Sequence, residues 1–374
     1  MKKGWKTVPL GELCDVLDHK RKPITKRDRE AGEYPYYGAT GVLDHVAGYL
    51  FDEPLVLVGE DGAKWASGEN TAFAVKGKIW VNNHAHVLRP HRNTLLDNWL
   101  IYHLNHTDLT EFVSGLTVPK LNQGSLREIP VPVPPLAEQQ RIVGLLDEAF
   151  EGLATPKANA EKNLQNARAL FESHLQSVFT QRGPGWVETT LGQIGKISMC
   201  KRIFKEETTA TGDIPFFKIG TFGKEPDAFI PSQTYNEYRA KYSFPDKGAV
   251  LISAAGTIGR RVRYDGDPAY FQDSNIVWIE NDEKQALNDY LYHFYGACDW
   301  NSTKGATISR LYNDNLRRIS IGFPKSVQEQ RRIVAQLDAL TEETQRLARL
   351  YERKHAALAA LKKSLLHQAF TGEL

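Results

Sequence analysis

Residues 138–147 read EQQRIVGLLD, and residues 329–338 read EQRRIVAQLD. The two runs stand 191 residues apart, and the offset holds without a gap to Phe179-Thr180 and Phe370-Thr371. Upstream, Gly4-Trp5 with Leu10-Gly11 returns as Gly185-Trp186 with Leu191-Gly192, at an offset of 181. Between these marks, SGLTVPKL (114–121) returns as KGATISRL (304–311), at an offset of 190. The chain is therefore a globular block followed by a long helical segment, twice over. Such repetition predicts two alike modules related by a pseudo-two-fold axis. The parts fall at residues 1–135, 136–180, 181–326 and 327–374.

The helical segments declare themselves by spacing. In 327–374, Ile333, Leu337, Leu340, Thr344, Leu347, Tyr351, Lys354, Leu358, Leu361 and Leu365 step by three and four. In 136–180, Ile142, Leu146, Ala149, Leu153, Ala160, Leu164, Ala167, Phe171 and Val178 do much the same. That pattern lays an apolar seam along one helix face, as in a coiled coil. Each segment would span roughly 65 Å at about 1.5 Å per residue. A helix that long with a single apolar stripe needs a partner, and the equivalent segment of the same chain is the obvious one. Pro156 is expected to bend or interrupt the first helix near Ala154.

The blocks between are mixed, and an α+β fold is expected for each. Short strands are predicted at 54–59, 71–76 and 84–89 with a helix at about 95–106, then near 215–219, 249–253 and 275–280 with a helix at 286–297. Both blocks end in an extended, proline-bearing tail, REIPVPVPP (127–135) and RRISIGFPK (317–325). Proline suits an edge strand there and delays the start of the helix. QRGPGW (181–186) punctuates the halves.

Composition excludes more than it assigns. At 374 residues, with 41% hydrophobic content and a mean hydropathy of −0.43, the chain has room for two or three well-packed domains. No stretch approaches the length of a membrane span, and the N-terminus lacks the apolar core of a signal peptide. Cys14, Cys200 and Cys298 are few and scattered, which fits a reducing cytoplasm and gives neither a disulfide framework nor a cysteine zinc site. A net charge of +2 announces no partner by itself.

The search for chemistry yields no catalytic constellation and no metal set. Gly256-Thr-Ile-Gly259 lacks dinucleotide-loop spacing, and its counterpart Gly59-Glu-Asp-Gly62 makes a structural turn the simpler reading of both. His84 and His86 share one strand face, but no third ligand lies near them in sequence. The counterpart Asp273-Ser274-Asn275 has no histidine, so core or surface histidines are expected. Basic residues are more suggestive. Lys20, Arg21, Lys22, Lys26 and Arg27 cluster in the first block; Lys201, Arg202 and Lys205, then Arg239 and Lys241, then Arg260 and Arg261 do so in the second. Tyrosines and phenylalanines lie among them, including Tyr34, Tyr36, Tyr37, Phe216, Phe217, Tyr238 and Tyr242. Lysine and arginine neutralise phosphates, and clusters in both halves suit a bipartite DNA site.

At this point the chain resembles the specificity (S) subunits of type I restriction–modification systems. The likeness rests on PxPPLAEQQRIVxxLD (132–147) with its helix ending in LQSVF (175–179). It rests also on the copy VQEQRRIVAQLD (327–338), whose helix ends in LLHQAFTGEL (365–374), and on the GWxxxxLG opening of each block. The second copy departs from the pattern, reading GFPKSVQEQ for PxPPLxEQ. The resemblance implies that each block is a target recognition domain reading one half of a split, asymmetric DNA site. It implies further that the two helices pair antiparallel as a spacer and that the chain itself is non-catalytic. Partners would be double-stranded DNA, two methyltransferase subunits and the restriction–translocase subunits, with no membrane. The chain would bind no cofactor, its partners using S-adenosylmethionine, ATP and Mg2+ to methylate adenine N6 or restrict. Two other readings stay open: an enzyme using residues such as His84 and Asp273, and a coiled-coil scaffold that binds no DNA. A decayed or solitary specificity subunit is a variant of the specificity-subunit reading.

Overall fold

The computed structural model describes residues 4–115, 117–300, 311 and 313–374. Of the repeat KGATISRL only Leu311 lies within the described residues, and Leu116 of its partner lies outside them. Contacts divide the chain into two compact units, residues 1–161 with 352–374, and residues 162–351. This differs from the boundaries expected at 135, 180 and 326. Each long helix is shared, because its two ends are buried in the cores of different units.

In the first unit the opening strand Lys6–Pro9 pairs antiparallel with the tail strand Pro130–Val133. A four-stranded antiparallel sheet follows, in the order Cys14–Val16, Ala85–Pro90, Leu55–Gly59, Ala72–Val75. Leu55–Gly59 is buried along its whole length, which is why an unbroken apolar run there makes a central strand. Helix Asp97–His106 covers this sheet with Trp99, Leu100 and Leu104. A second four-stranded sheet runs Gly41–Val46, Ala31–Gly38, Lys78–Val81, Phe51–Asp52.

The second unit repeats the plan. Trp186–Thr190 pairs with Ser320–Pro324. Its main sheet runs Lys196–Ser198, Ile276–Glu280, Val250–Ser253, Arg261–Arg263, strand for strand the same order. Helix Asn288–Ala297 covers it. The smaller sheet differs, with three strands, Phe229–Ile230, Ile214–Phe217 and Tyr270–Phe271, beside helix Ser232–Lys241. The expected turns are present: Gly62 and Gly256 follow equivalent strands with φ of 66° and 64°, a conformation glycine adopts without Cβ strain.

Packing explains the repeated motifs. Gln139 is fully buried; its side-chain oxygen accepts from the Leu96 N–H at 2.9 Å, and its amide donates to the Thr94 and Pro134 carbonyls. Gln330 makes the same three bonds, to Leu287, Gln285 and Pro324. Each glutamine thus satisfies backbone groups at the start of the covering helix, where burial would otherwise leave them unpaired. Asp147 accepts from the Tyr102 hydroxyl, and Asp338 lies 2.8 Å from His293 Nε2, on the same helices. In the opening motif, a Cβ on Gly11 would fall 2.9 Å from Arg127 Cβ, and one on Gly192 would fall 3.0 Å from Arg317 Cβ. These glycines admit the short helices Gln123–Glu128 and Asn313–Arg318. The terminal phenylalanines close the cores: Phe370 stands against Trp99, and Phe179 against Tyr290 and Phe294.

The long helices are Leu136–Thr180 and Val327–Thr371. The first continues through Pro156, so the expected interruption is absent. The proline forgoes one bond, to the Gly152 carbonyl, at a solvent-exposed turn where water can take the acceptor. Within the first unit the helices run antiparallel. Arg141 donates to the Leu374 carbonyl, Lys362 lies over the Phe150 ring, and His355 meets Glu161 at 3.1 Å. Of the expected seam, Ile142 and Leu146 are buried in the first unit, and Ile333 and Leu337 in the second. Leu153, Leu164, Phe171, Leu340, Leu347 and Leu358 are half-buried. Leu361, expected in the seam, is 46% exposed, and Leu366 and Ala369 are buried instead. Near its end this helix turns a different face inward because it packs on helix Asp97–His106 as well as on its partner.

Candidate nucleic-acid interface

The first basic cluster sits on the loop after strand Cys14–Val16, at two 3-10 turns, Asp18–Lys20 and Lys26–Asp28. Lys20, Lys22, Lys26 and Arg27 are exposed; the Arg27 side chain is 90% exposed and pairs with Asp28. The loop is held from beneath. Trp80 Nε1 donates to the Lys22 carbonyl at 2.6 Å, and the Ile24 N–H donates to the Tyr36 hydroxyl. Arg29 stacks on Tyr36 and pairs with Asp44.

Arg21 points the other way, into the protein, and does not join these exposed cations. Its side chain is 13% exposed, pairs with Asp18 and Glu60, and donates to the Ala85 carbonyl. Burial alone would raise the Asp18 carboxyl, but bonds from His86 and the Val87 N–H and the Arg21 charge outweigh it and leave it below the usual range. Burial likewise opposes ionisation of Glu60, and Lys120 and Arg21 overcome it. His86 spans the network, Nδ1 at 2.6 Å from Asp18 and Nε2 at 2.7 Å from the Leu121 carbonyl. Sequence reading found no third ligand near His86. The fold supplies two acids, with Asp18, Glu60 and His86 offering ligand atoms within 4.8 Å of one another. Arg21, Lys120 and Gln123 already face those carboxylates, so the cluster is an ion-pair network fastening the root of the loop. Separations of 42 and 68 residues hid it. His84, just before the strand that carries His86, is exposed and pairs with Asp61.

In the second unit the equivalent loop follows the equivalent strand, Lys196–Ser198. Lys201 and Lys205 are exposed; Arg202 pairs with Asp273 while remaining 58% exposed. Lys201 Nζ lies 5.2 Å from the Tyr242 ring centre, and the Tyr238 hydroxyl meets Glu207. The fold therefore brings the 201–205 loop against helix Ser232–Lys241, two clusters far apart in sequence. That helix presents Arg239, bonded to the Tyr235 hydroxyl and lying over Phe244, and Lys241, paired with Glu237.

Arg260 and Arg261 do not join this surface. Arg260 is half-buried and donates to the Phe222 carbonyl at 3.0 Å. Arg261 lies 4.6 Å over Tyr292, and a Cβ on Gly296 would fall 2.2 Å from its guanidinium. Burial pulls its pKa below the usual value. Neighbouring arginines on a strand looked like one exposed run, but the covering helix claims this one. Sequence reading missed other surface groups: Phe204, 60% exposed amid Lys201, Arg202 and Lys205, and the exposed Leu43 and Tyr49 of the first unit. Lys78 lies over Tyr34 and Tyr49 there. An aromatic left exposed within a cationic loop is the signal that would have marked Phe204.

Two modules of one topology, each carrying an exposed cationic loop after the same strand, define a tandem recognition protein. The sequence model of the type I restriction modification DNA specificity domain matches residues 2–162 and again 184–352. A Haemophilus influenzae protein named as a type I restriction enzyme specificity subunit is 43% identical over 338 residues, 89% of this chain and 86% of the relative. The EcoDI specificity subunit of Escherichia coli is 27% identical over 42% of this chain and 34% of its own length. Among solved structures, one from work on assembly and conformational transition of the type I system covers 100% of this chain and 99% of its own, with a TM-score of 0.75 at 20% identity. The HsdS subunit of Thermoanaerobacter tengcongensis matches with a TM-score of 0.53 at 20% identity, covering 100% and 98%. The chain belongs to the family of type I restriction–modification DNA specificity subunits. Among the described residues, no helix is long and apolar enough to cross a membrane.

Proposed function

We propose that each unit reads one half of a split, asymmetric DNA site, and that the chain directs adenine-N6 methylation and restriction without catalysing either. The observation that carries this is the repeat of an exposed basic loop at one topological place, Lys20, Lys22, Lys26 and Arg27 in one unit and Lys201, Arg202 and Lys205 in the other. Cations of this kind hold phosphates and set register, while neighbouring polar and aromatic side chains read base edges or shape. The smaller sheets and the helix Ser232–Lys241 differ between units, which supports two unlike half-sites. In this reading two methyltransferase subunits join the chain, bring S-adenosylmethionine and take the target adenine out of the duplex. Motor–nuclease subunits bring ATP and Mg2+.

The test is sequencing of N6-methyladenine in DNA from cells carrying this chain with its neighbouring methyltransferase, against a deletion of this chain. A split motif lost on deletion is expected. Methylation that persists unchanged would refute the proposal.

A further inference from the structure

The basic loop of the second unit is tied down at successive residues and still lifts one ring into solvent. Cys200 and Ile203 are buried in the core beside the smaller sheet. The Tyr270 hydroxyl donates to the Lys201 carbonyl at 3.0 Å, and Arg202 Nε donates to Asp273 at 2.9 Å. The Phe204 N–H donates to the Glu207 carboxylate at 2.7 Å, at the start of the 3-10 turn Lys205–Glu207. The Phe204 side chain nevertheless stays largely in water, with Lys201, Arg202 and Lys205 around it in the chain. An apolar ring stabilises a fold only through the area it buries, so a ring held out by a fixed loop is placed for a surface that it meets.

The first unit keeps the root of this loop and lacks the ring. At the 181-residue offset Lys20-Arg21 falls on Lys201-Arg202, and Pro23 falls on Phe204. Both arginines pair with an acid from a distant part of the chain, Glu60 in one unit and Asp273 in the other. The duplication has therefore held the charged anchor of the loop and changed the side chain that the loop presents.

We propose that Phe204 reads the C5-methyl group of one thymine in the half-site bound by the second unit, a contact with no aromatic counterpart in the first. A phenyl ring has no hydrogen-bond donor or acceptor, so among the features that base edges display in the major groove the thymine methyl is the one that suits it. The flanking cations hold phosphates and thereby fix how deep the ring sits. Because the loop is already tied down, little freedom is lost when the ring docks. Insertion between base pairs would demand unstacking and a reach that a loop fixed at Ile203 and Glu207 does not have. A protein-docking surface would call for a contiguous apolar patch, whereas Phe204 is bordered by charge. The inference rests on the proposed reading of DNA by the second unit, and it names one base feature that this unit recognises.

The test uses the full chain assembled with its methyltransferase and a labelled duplex carrying the methylated motif. Each thymine in turn is replaced by deoxyuridine, which lacks only the methyl group, and affinity is read by fluorescence anisotropy. One replacement is expected to weaken binding by the parent chain about four-fold, the worth of one buried methyl group. F204A should bind the thymine and deoxyuridine duplexes equally at that position, while F204L, still apolar, should keep most of the difference. K201A/R202A/K205A should lose affinity and salt dependence yet retain the preference for thymine. All three variants change exposed side chains and should keep the parent melting temperature. A complex with no sequence preference at all would refute the proposed function itself. A selective complex in which no thymine responds to loss of its methyl, or in which F204A leaves the response in place, overturns the inference alone. So does 2-aminopurine beside the site that brightens on binding and stays dark with F204A, which would make the ring a wedge, or an F204A chain that no longer assembles with the methyltransferase.

Discussion

Replacing Lys20, Lys22, Lys26 and Arg27 together by alanine removes the exposed cations of the first loop and leaves the buried Arg21 in place. All four are exposed, so the fold should change by no more than about 0.5 kcal/mol per site. Each phosphate contact contributes about 0.9 to the slope of log affinity against log salt. At about 0.15 M salt the released counterions are worth roughly 0.7 of a decade per contact, or about 1 kcal/mol. Four contacts therefore set a ceiling of about 3.6 in slope and about 4 kcal/mol in affinity. The matching variant of Lys201, Arg202 and Lys205 should lose less, since Asp273 already holds Arg202 at 2.9 Å. Arg21→Met is the contrasting control. It removes one of the partners of the buried Asp18 and Glu60, which keep His86 and Lys120, so it should cost about 1–3 kcal/mol of stability rather than a change of slope. Fluorescence anisotropy of a labelled duplex carrying the methylated motif, titrated with the chain assembled with its methyltransferase between about 0.05 and 0.2 M salt, gives slope and affinity together. An unchanged slope with unchanged affinity would remove this loop from the phosphate contacts, and with it the observation on which the proposed function rests.

Two further outcomes follow from the packing. Gln139→Ala leaves a backbone N–H and two carbonyls without their buried partner, so it should destabilise the first unit by about 3–5 kcal/mol; hydrogen exchange should speed up in 94–106 but not in 285–297, with Gln330→Ala giving the mirror image. His103 is held to about 4 by burial, against an ordinary value of 6.5. Because its folded value is depressed, the stability it contributes is complete above pH 6.5 and is lost as pH falls toward 4, about 3 kcal/mol in all. His103→Gln should flatten that window in urea midpoints measured against pH, and an unaltered pH profile would show that the imidazole does not titrate with folding.

Much of the framework was legible because burial there is one-sided or complete. Strand 54–59 shows as an unbroken apolar run because Leu55, Val56, Leu57 and Val58 are all buried, and the tails 127–135 and 317–325 show through their prolines. The smaller sheets were not legible. Gly41–Val46 and Ala31–Gly38 carry exposed residues on both sides of a hairpin with register shifts, so no period of two survives. Helix Ser232–Lys241 buries only Tyr235, which leaves almost no apolar stripe to detect. The basic clusters were visible as charge and invisible as orientation. Lys20 and Lys22 face water while Arg21, between them, turns in to Glu60, and only the pairing of distant strands could reveal that acid.

The repeat separates framework from recognition. What the duplication kept is packing: Gln139 with Gln330, Gly11 with Gly192, and Phe370 with Phe179 meet the same kinds of backbone and ring in both units. What it let diverge is the smaller sheet and the side chains around the basic loop. A residue repeated at the 191 or 181 offset therefore argues for a structural duty, however chemical its side chain looks. The glutamine of EQxRIVxxLD is the clearest case, a polar residue at the head of the strongest motif whose work is to hold three backbone groups. Conversely, a surface group with no counterpart is where the two halves acquire different duties. Lys157, Lys362 and Lys363, replaced in the other half by alanine, phenylalanine and glutamate, belong to that second class. Two modules with one core can thus present unlike surfaces to DNA and to protein partners, because the constraints of folding act on one set of positions and those of recognition on another.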